Sequence, residues 1–282
     1  MINKMTKASL LFMSIMAGLW VFIAAHPNDG QKTQMDRVTV PLSKPGQSVS
    51  VHASSMTGAI KVEGTEGQEV IIETYAQGEQ STERGREPKR KTEGLRLIVP
   101  RNSGLEVEEE NNVVHINLGP EGQGQDLFIK VPRQCSLELS SSEGDIVVEN
   151  VSGNLEVESS DGSLTLTGIS GSVVASSGDG DITVVLNAAT PGKPMSFSTV
   201  DGDIDVTLPA DIKATVKLKT EEGNIYTDFG VDLQQAQEKK ENKEGGKYRL
   251  EVERFLSGTI NGGGQEYKFT CLEGDIYLRK KK

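Results

Sequence analysis

Three aspartates stand directly after glycines at regular distances: Gly144-Asp145, Gly180-Asp181 and Gly202-Asp203. If the segments that carry them stack, their carboxylates form a column that either repels itself or gathers a hard cation such as calcium through oxygen ligands. Calcium-binding nonapeptide repeats place aspartate two positions after the glycine. Here aspartate follows at once and an apolar residue takes the second position, so that mechanism does not carry over. Solvated turns, with aspartate chosen for its side-chain-to-backbone hydrogen bonds, are the preferred reading; weak calcium or magnesium binding is the alternative. His26, His52 and His115 lie in separate segments without metal-ligand spacing. His52 alternates with apolar neighbours from Val49 to Ala53 and reads as a surface strand residue. Cys135 and Cys271 read either as a disulfide, in an oxidising compartment, or as two small buried thiols. Nothing beside them points to a lowered thiol pKa. No Gly-x-Ser-x-Gly elbow, His-Glu-x-x-His helix or phosphate loop occurs, and Asn261 to Gly264 reads as a tight turn. The expectation is a protein without catalytic, cofactor-binding or metal-binding residues, and not an enzyme.

Composition narrows the partners. The 282 residues carry 41 acidic and 30 basic side chains, for a net charge of -11 and a pI near 4.9. No surplus of cations exists to replace phosphate counterions, which argues against nucleic acid. The first 25 residues differ from the rest: Lys4 and Lys7 precede an apolar run from Ala8 to Ala25, followed by the polar breaker His26-Pro27-Asn28-Asp29-Gly30. This reads as an export signal. The run is also just long enough to span a bilayer, so residues 1–25 are a cleaved signal peptide or an uncleaved N-terminal membrane anchor helix, with a buried core helix the remaining choice. No Cys follows the run, so a lipid-anchored start is unsupported. A linker is expected over 26–35, and the working part is expected outside the cytoplasm: periplasmic, in the cell envelope or secreted.

What must position the aspartates is a repeat. Glycines 144, 153, 162, 171 and 180 recur every nine residues, and the pattern returns at Gly202, Gly223, Gly258 and Gly274, with an early copy at Gly58. Two residues after every one of these stands Ile, Leu or Val. Alternation rich in branched residues describes a strand with one buried face, and glycine flanked by Asp, Glu, Ser, Thr or Asn supplies a turn. Glycines 144, 162, 180, 202 and 223 have acidic neighbours, whereas 153 and 171 have only Ser and Asn. Two units therefore make one coil, with an acidic edge and a neutral edge. The expected fold is all-β, a β-solenoid or β-helix-like stack with coils of roughly 18–22 residues; an antiparallel meander or sandwich is the competing architecture.

The rest of the chain is read around that stack. Strand-like runs at Arg37 to Pro41, Gln47 to Ala53 and Glu69 to Tyr75 start and cap it, and Leu95 to Pro100, Val113 to Leu118 and Leu127 to Pro132 resume strand character. Charged loops are expected at 77–94 and 234–246, the second with a short helical turn as the other option. Ala188 to Pro194 reads as a loop at the neutral edge. The terminal Arg279-Lys280-Lys281-Lys282 reads as a cationic guard on an open last strand, with contact to anionic lipid or cell-wall polymer as the alternative.

Gly144-Asp145-Ile146, Gly180-Asp181-Ile182, Gly202-Asp203-Ile204 and the closing Gly258-Thr259-Ile260-Asn261-Gly262-Gly263-Gly264 before Gly274-Asp275-Ile276 resemble the bacterial putative-adhesin family, exported β-helix-like domains of unknown function with Gly-Asp-Ile repeats. The resemblance covers residues 36–282 and implies one repetitive domain and surface attachment. The function it implies is that of a non-enzymatic exported scaffold binding cell-surface polymer or protein, without cofactors. Two alternatives stand beside it. A polysaccharide-active β-helix enzyme would need carboxylate pairs and aromatic sugar platforms, yet aromatics are 5% of the chain and Trp20 is its one tryptophan. A membrane-anchored extracytoplasmic sensing domain would need residues 1–25 to stay attached; the membrane is a partner only through them.

Overall fold

The computed structural model describes residues 33–76, 104–122, 124–244 and 247–282. The chain divides into two compact units, 1–31 and 32–282, and every described residue belongs to the second. The signal or anchor at 1–25, the linker up to residue 32, the loop expected at 77–94 and the run at 95–100 lie outside the described residues. The linker's last residues, from Thr33, already belong to a strand.

In chain order the first strands are β1 (Thr33–Val40), β2 (Val49–Thr57), β3 (Ile60–Thr65), β4 (Val70–Ala76), β5 (Leu105–Glu110), β6 (Val113–Leu118) and β7 (Gln125–Pro132). The nine-residue repeat supplies β8 (Cys135–Glu143), β9 (Ile146–Glu149), β10 (Ser152–Asp161), β11 (Leu164–Asp179), β12 (Ile182–Ala189), β13 (Met195–Asp201) and β14 (Ile204–Leu208). Then come β15 (Ala214–Glu222), β16 (Ile225–Thr227), β17 (Gln234–Glu244), β18 (Lys247–Ile260), β19 (Gln265–Glu273) and β20 (Ile276–Lys280). Helix among the described residues is limited to a 3-10 turn at Pro120–Gly122. The domain is all-β and solenoid-like.

The glycine rhythm becomes a winding. Leu137, Leu155 and Val173 sit in register on the parallel strands β8, β10 and β11, and Ile146, Leu164 and Ile182 do the same on β9, β11 and β12. Partners are one coil apart (155 − 137 = 18). The next coil is longer, since Asp179 pairs Asp201 (201 − 179 = 22), and the slack lies in the expected loop between β12 and β13. A meander would make neighbouring strands antiparallel; the repeat's neighbours are parallel. Each coil thus gives one strand to each of two faces, with aliphatic side chains between them.

Stack order departs from chain order at both ends. The β2–β3 coil is inserted between β6–β7 and β8–β9. The β19–β20 coil is likewise inserted between β13–β14 and β15–β16. Antiparallel strands close the ends: β4 lies on β7 and β1 on β4, β5 on β6, and the β17–β18 hairpin on β15.

Three expectations are corrected here. Residues 234–244, read as a charged loop or helical turn, are strand β17. Their sequence has no apolar alternation, and they are extended because the backbone pairs with β18 from Gln234↔Ser257 onward. Ion pairs from Lys217 to Glu238 and from Lys268 to Glu253 pin both hairpin strands to the body. Gly258 is no corner but lies within β18, opposite Val216 on the antiparallel β15. The terminal cations guard no open edge, because β20 is flanked by β14 and β16. Arg279 Nε donates to both oxygens of Asp205, and Lys281 Nζ donates to Asn187.

The core is a set of ladders. Ile60, Ile146, Leu164, Ile182, Ile204 and Ile276, each two residues after a repeat glycine, are fully buried. On the opposite face Ala175, Phe197, Phe269 and Leu218 occupy one column, and the two phenylalanine rings stack at 5.0 Å. Burying each such side chain stabilises by about 1.5–3 kcal/mol.

Candidate functional site

The feature the sequence singled out, the acidic edge, is a column of glycine corners. Each glycine N–H donates to the acid-position carbonyl of the next coil: Gly58 to Glu143, Gly144 to Asp161, Gly162 to Asp179, Gly180 to Asp201, Gly202 to Glu273 and Gly274 to Glu222. The corners therefore run Gly58, Gly144, Gly162, Gly180, Gly202, Gly274, Gly223.

From Gly144 onward, the residue after the glycine works as a clip. Ser163 N–H donates to Asp145 Oδ1 at 2.9 Å and Asp181 N–H to the Ser163 hydroxyl at 3.3 Å. Asp203 N–H then donates to Asp181 Oδ1, Asp275 N–H to Asp203 Oδ1 and Asn224 N–H to Asp275 Oδ1, at 2.8, 2.8 and 2.7 Å. The Asn224 N–H leads the interactions that hold the Asp275 carboxyl below its ordinary range. Asp145, Asp181 and Asp203 thus satisfy backbone donors that a tight corner would otherwise leave to water. Among the described residues no three His, Cys, Asp or Glu side chains converge as a ready-made cation cage. The acids before the glycines, Glu143, Asp161, Asp179, Asp201, Glu273 and Glu222, are exposed. Asp181→Ala is expected to cost about 1 kcal/mol, whereas Asp181→Asn, which keeps the acceptor, costs less than half of that; denaturant titration of both variants reads the difference.

A second column escaped the sequence reading. Three residues before the glycine, a hydroxyl or thiol, buried in all but the half-buried Thr220, donates to the glycine carbonyl of the adjacent coil: Ser177 to Gly162, Thr199 to Gly180, Cys271 to Gly202 and Thr220 to Gly274, at 2.9–3.2 Å. The signal was present, since Ser, Thr or Cys stands three before each corner glycine, but an alternation of buried positions conceals a polar member. Cys271 is therefore a corner donor. Both cysteines are free and buried. They lie on β8 and β19, four inter-strand steps apart, at least about 19 Å, so the disulfide alternative is overturned. Burial pushes the Cys135 thiol up to about 12 and Cys271 to about 11, which removes them from thiolate chemistry.

Two histidines that the sequence kept apart are neighbours. His52 on β2 pairs in register with His115 on β6, with ring centres 4.9 Å apart. At the other end of the stack, on the opposite face, Tyr226 and Tyr277 stack at 5.1 Å. Arg279 lies over the Tyr277 ring at 5.1 Å, and the Tyr277 hydroxyl donates to Asp275 Oδ2. Among the described residues no helix is long and apolar enough to cross a membrane.

Comparison with known proteins gives a family and remote folds. The family model described as Toastrack DUF4097 matches residues 31–261. No curated protein matches. Among solved structures, a putative cell adhesion protein from Clostridium sporogenes ATCC 15579 aligns over 89% of this chain and 100% of its own, at 10% identity and a TM-score of 0.44. A putative adhesin from Bacteroides fragilis NCTC 9343 aligns over 89% of this chain and 98% of its own, at 12% identity and a TM-score of 0.39.

Proposed function

The chain belongs to the Toastrack DUF4097 family, and on that footing we propose that it is a non-enzymatic, exported surface or periplasmic scaffold that binds an extended cell-surface polymer along its sheet. Residues 1–25 serve export, as a signal peptide or as an anchor. The observation that carries the polymer reading is the outer row Lys61, Val147, Thr165, Thr183, Asp205, Tyr277 and Tyr226, which runs in register across seven strands. It is a strip, polar except for Val147, that ends in the exposed Tyr226 ring stacked on Tyr277 beside Arg279. Stacked aromatic faces with hydrogen-bonding neighbours suit sugar rings, which are apolar on one side and hydroxylated at the rim. The outer face of the exposed Tyr226 ring, backed by Tyr277 stacked parallel to it on the adjacent strand, offers a platform about one sugar unit long, and the threonine strip extends it.

The test is co-sedimentation of the full chain with insoluble cell-wall polysaccharide. The wild type is expected to sediment with the polymer, and the Tyr226→Ala/Tyr277→Ala double variant to lose about two- to thirteenfold in affinity, in line with one aromatic contact of about 0.5–1.5 kcal/mol. Equal retention of both proteins, or none of the wild type, would remove polymer from this face.

A further inference from the structure

We propose that the outer face near the amino-terminal end of the stack holds a binding site for a divalent transition-metal ion, of the zinc or nickel type, built from His52 and His115 with Glu108 as the carboxylate ligand and Glu138 as a positioning residue. Register creates it. Glu108 on β5 faces His115 on β6, His115 faces His52 on β2, and His52 faces Glu138 on β8. A carboxylate–imidazole–imidazole–carboxylate row thus crosses four adjacent strands. The row lines a groove of about 420 Å³ that also contains Glu106, so three carboxylates line the same groove as two imidazoles and favour a dication, although their side chains do not converge on one point.

The geometry suits nitrogen ligation. Two imidazoles bound at about 2.0–2.1 Å to one ion, at a roughly tetrahedral angle, have ring centres about 5 Å apart. The rings of His52 and His115 are 4.9 Å apart and inclined at 67°. His52 Nδ1 lies 3.2 Å from Glu138 Oε2, which orients the ring and leaves Nε2 for an ion, the arrangement in which an outer carboxylate fixes a ligating histidine. Glu108 is exposed and opposite His115; a turn of its side chain completes the set, and water fills the remaining position. Imidazole selects zinc, nickel or copper over calcium and magnesium. The buried thiols of Cys135 and Cys271 offer no competing ligands.

Calorimetric titration of the untagged full chain, held in detergent micelles, with zinc chloride decides the matter. The expected result is one saturable equivalent per chain and no comparable uptake of magnesium. His52→Ala and His115→Ala should each weaken binding at least about tenfold, Glu138→Gln by about tenfold, and His26→Gln not at all. Should an alanine variant melt early without metal, His52→Gln and His115→Gln replace it. Substituted cobalt should show a visible absorption band that both histidine variants lose, a signature a merely structural role would not give. The absence of a saturable equivalent in the wild type, or undiminished zinc binding in both histidine variants, would overturn the site.

Discussion

A chain ending at Gly264 is expected to lose its cooperative melting transition and not merely to become one coil shorter. In a solenoid wound in chain order, removing the last coil exposes one face of the preceding coil, a loss confined to nearest neighbours. Here β19 and β20 separate β13–β14 from β15–β16. Their removal strips both flanks at once and leaves the β17–β18 hairpin attached only to an orphaned coil. Phe269, Ile276 and Leu278 are at most 1% exposed, and at about 1.5–3 kcal/mol each their loss rivals the net stability of an ordinary domain, about 5–15 kcal/mol. Cys271, Asp275 and the Gly274 carbonyl also clip the coils on either side. Far-ultraviolet circular dichroism against temperature is the measurement; a truncated chain with the full-length midpoint would mean that the final coil is dispensable.

The same inserted coil marks where sequence reading stops. Period, acidic edge and inward Ile/Leu/Val positions were legible because each is a local pattern: a glycine at a corner, an aliphatic two residues on, a strand of fixed length between. Nothing local tells Gly274 that it stacks between Gly202 and Gly223, nor Gly58 that it stacks on Gly144. Those choices are made by partners tens of residues away. His52 and His115 became neighbours for that reason: β2 slots beside β6, so two isolated histidines turn into a cross-strand pair. The hairpin was missed differently. β17 has the composition of a solvated loop, and its strand conformation comes from β18, whose Phe255 lies under Lys217 at 5.1 Å while Glu266 holds that ammonium's pKa above its ordinary value. Tertiary pairing overrode a local signal that pointed to a loop.

Aspartate shows the reverse case, where the type was read correctly and the atom-level use was not visible. Turn chemistry through side-chain-to-backbone hydrogen bonds was expected, and residue type alone does not say which backbone. The clips run between corners, Asp181 to Asp203 and Asp203 to Asp275, so the repeat's aspartates cross-link coils along the stack. A ladder of this kind links neighbours one step at a time. It makes register between coils as strongly specified as the aliphatic column inside, since a one-residue slip would break every clip and turn every Ile outward.

Gly180→Ala is expected to destabilise the domain by about 2–6 kcal/mol. Two costs add. Gly180 has φ +149°, a region that side-chain-bearing residues adopt at about 1–3 kcal/mol. An added Cβ would also meet the Gly162 carbonyl carbon and oxygen at 2.6 Å and Ser163 N at 2.9 Å. Those atoms are backbone, fixed by the Gly162-to-Asp179 and Leu164-to-Asp181 hydrogen bonds, so relief requires the coils to part, a further cost of about 1–3 kcal/mol. Glycine is thus required at the corner twice over, for conformation and for the close approach of one coil to the next. Gly230→Ala is the control: no atom lies within 4 Å of its added Cβ and its φ is not in the strained range, so its effect should stay within about 0.5 kcal/mol. Urea unfolding of the two variants beside the wild type gives both numbers. Coincident curves for Gly180→Ala and Gly230→Ala would show that the corners are not in contact and that the stack is looser than its hydrogen bonds describe.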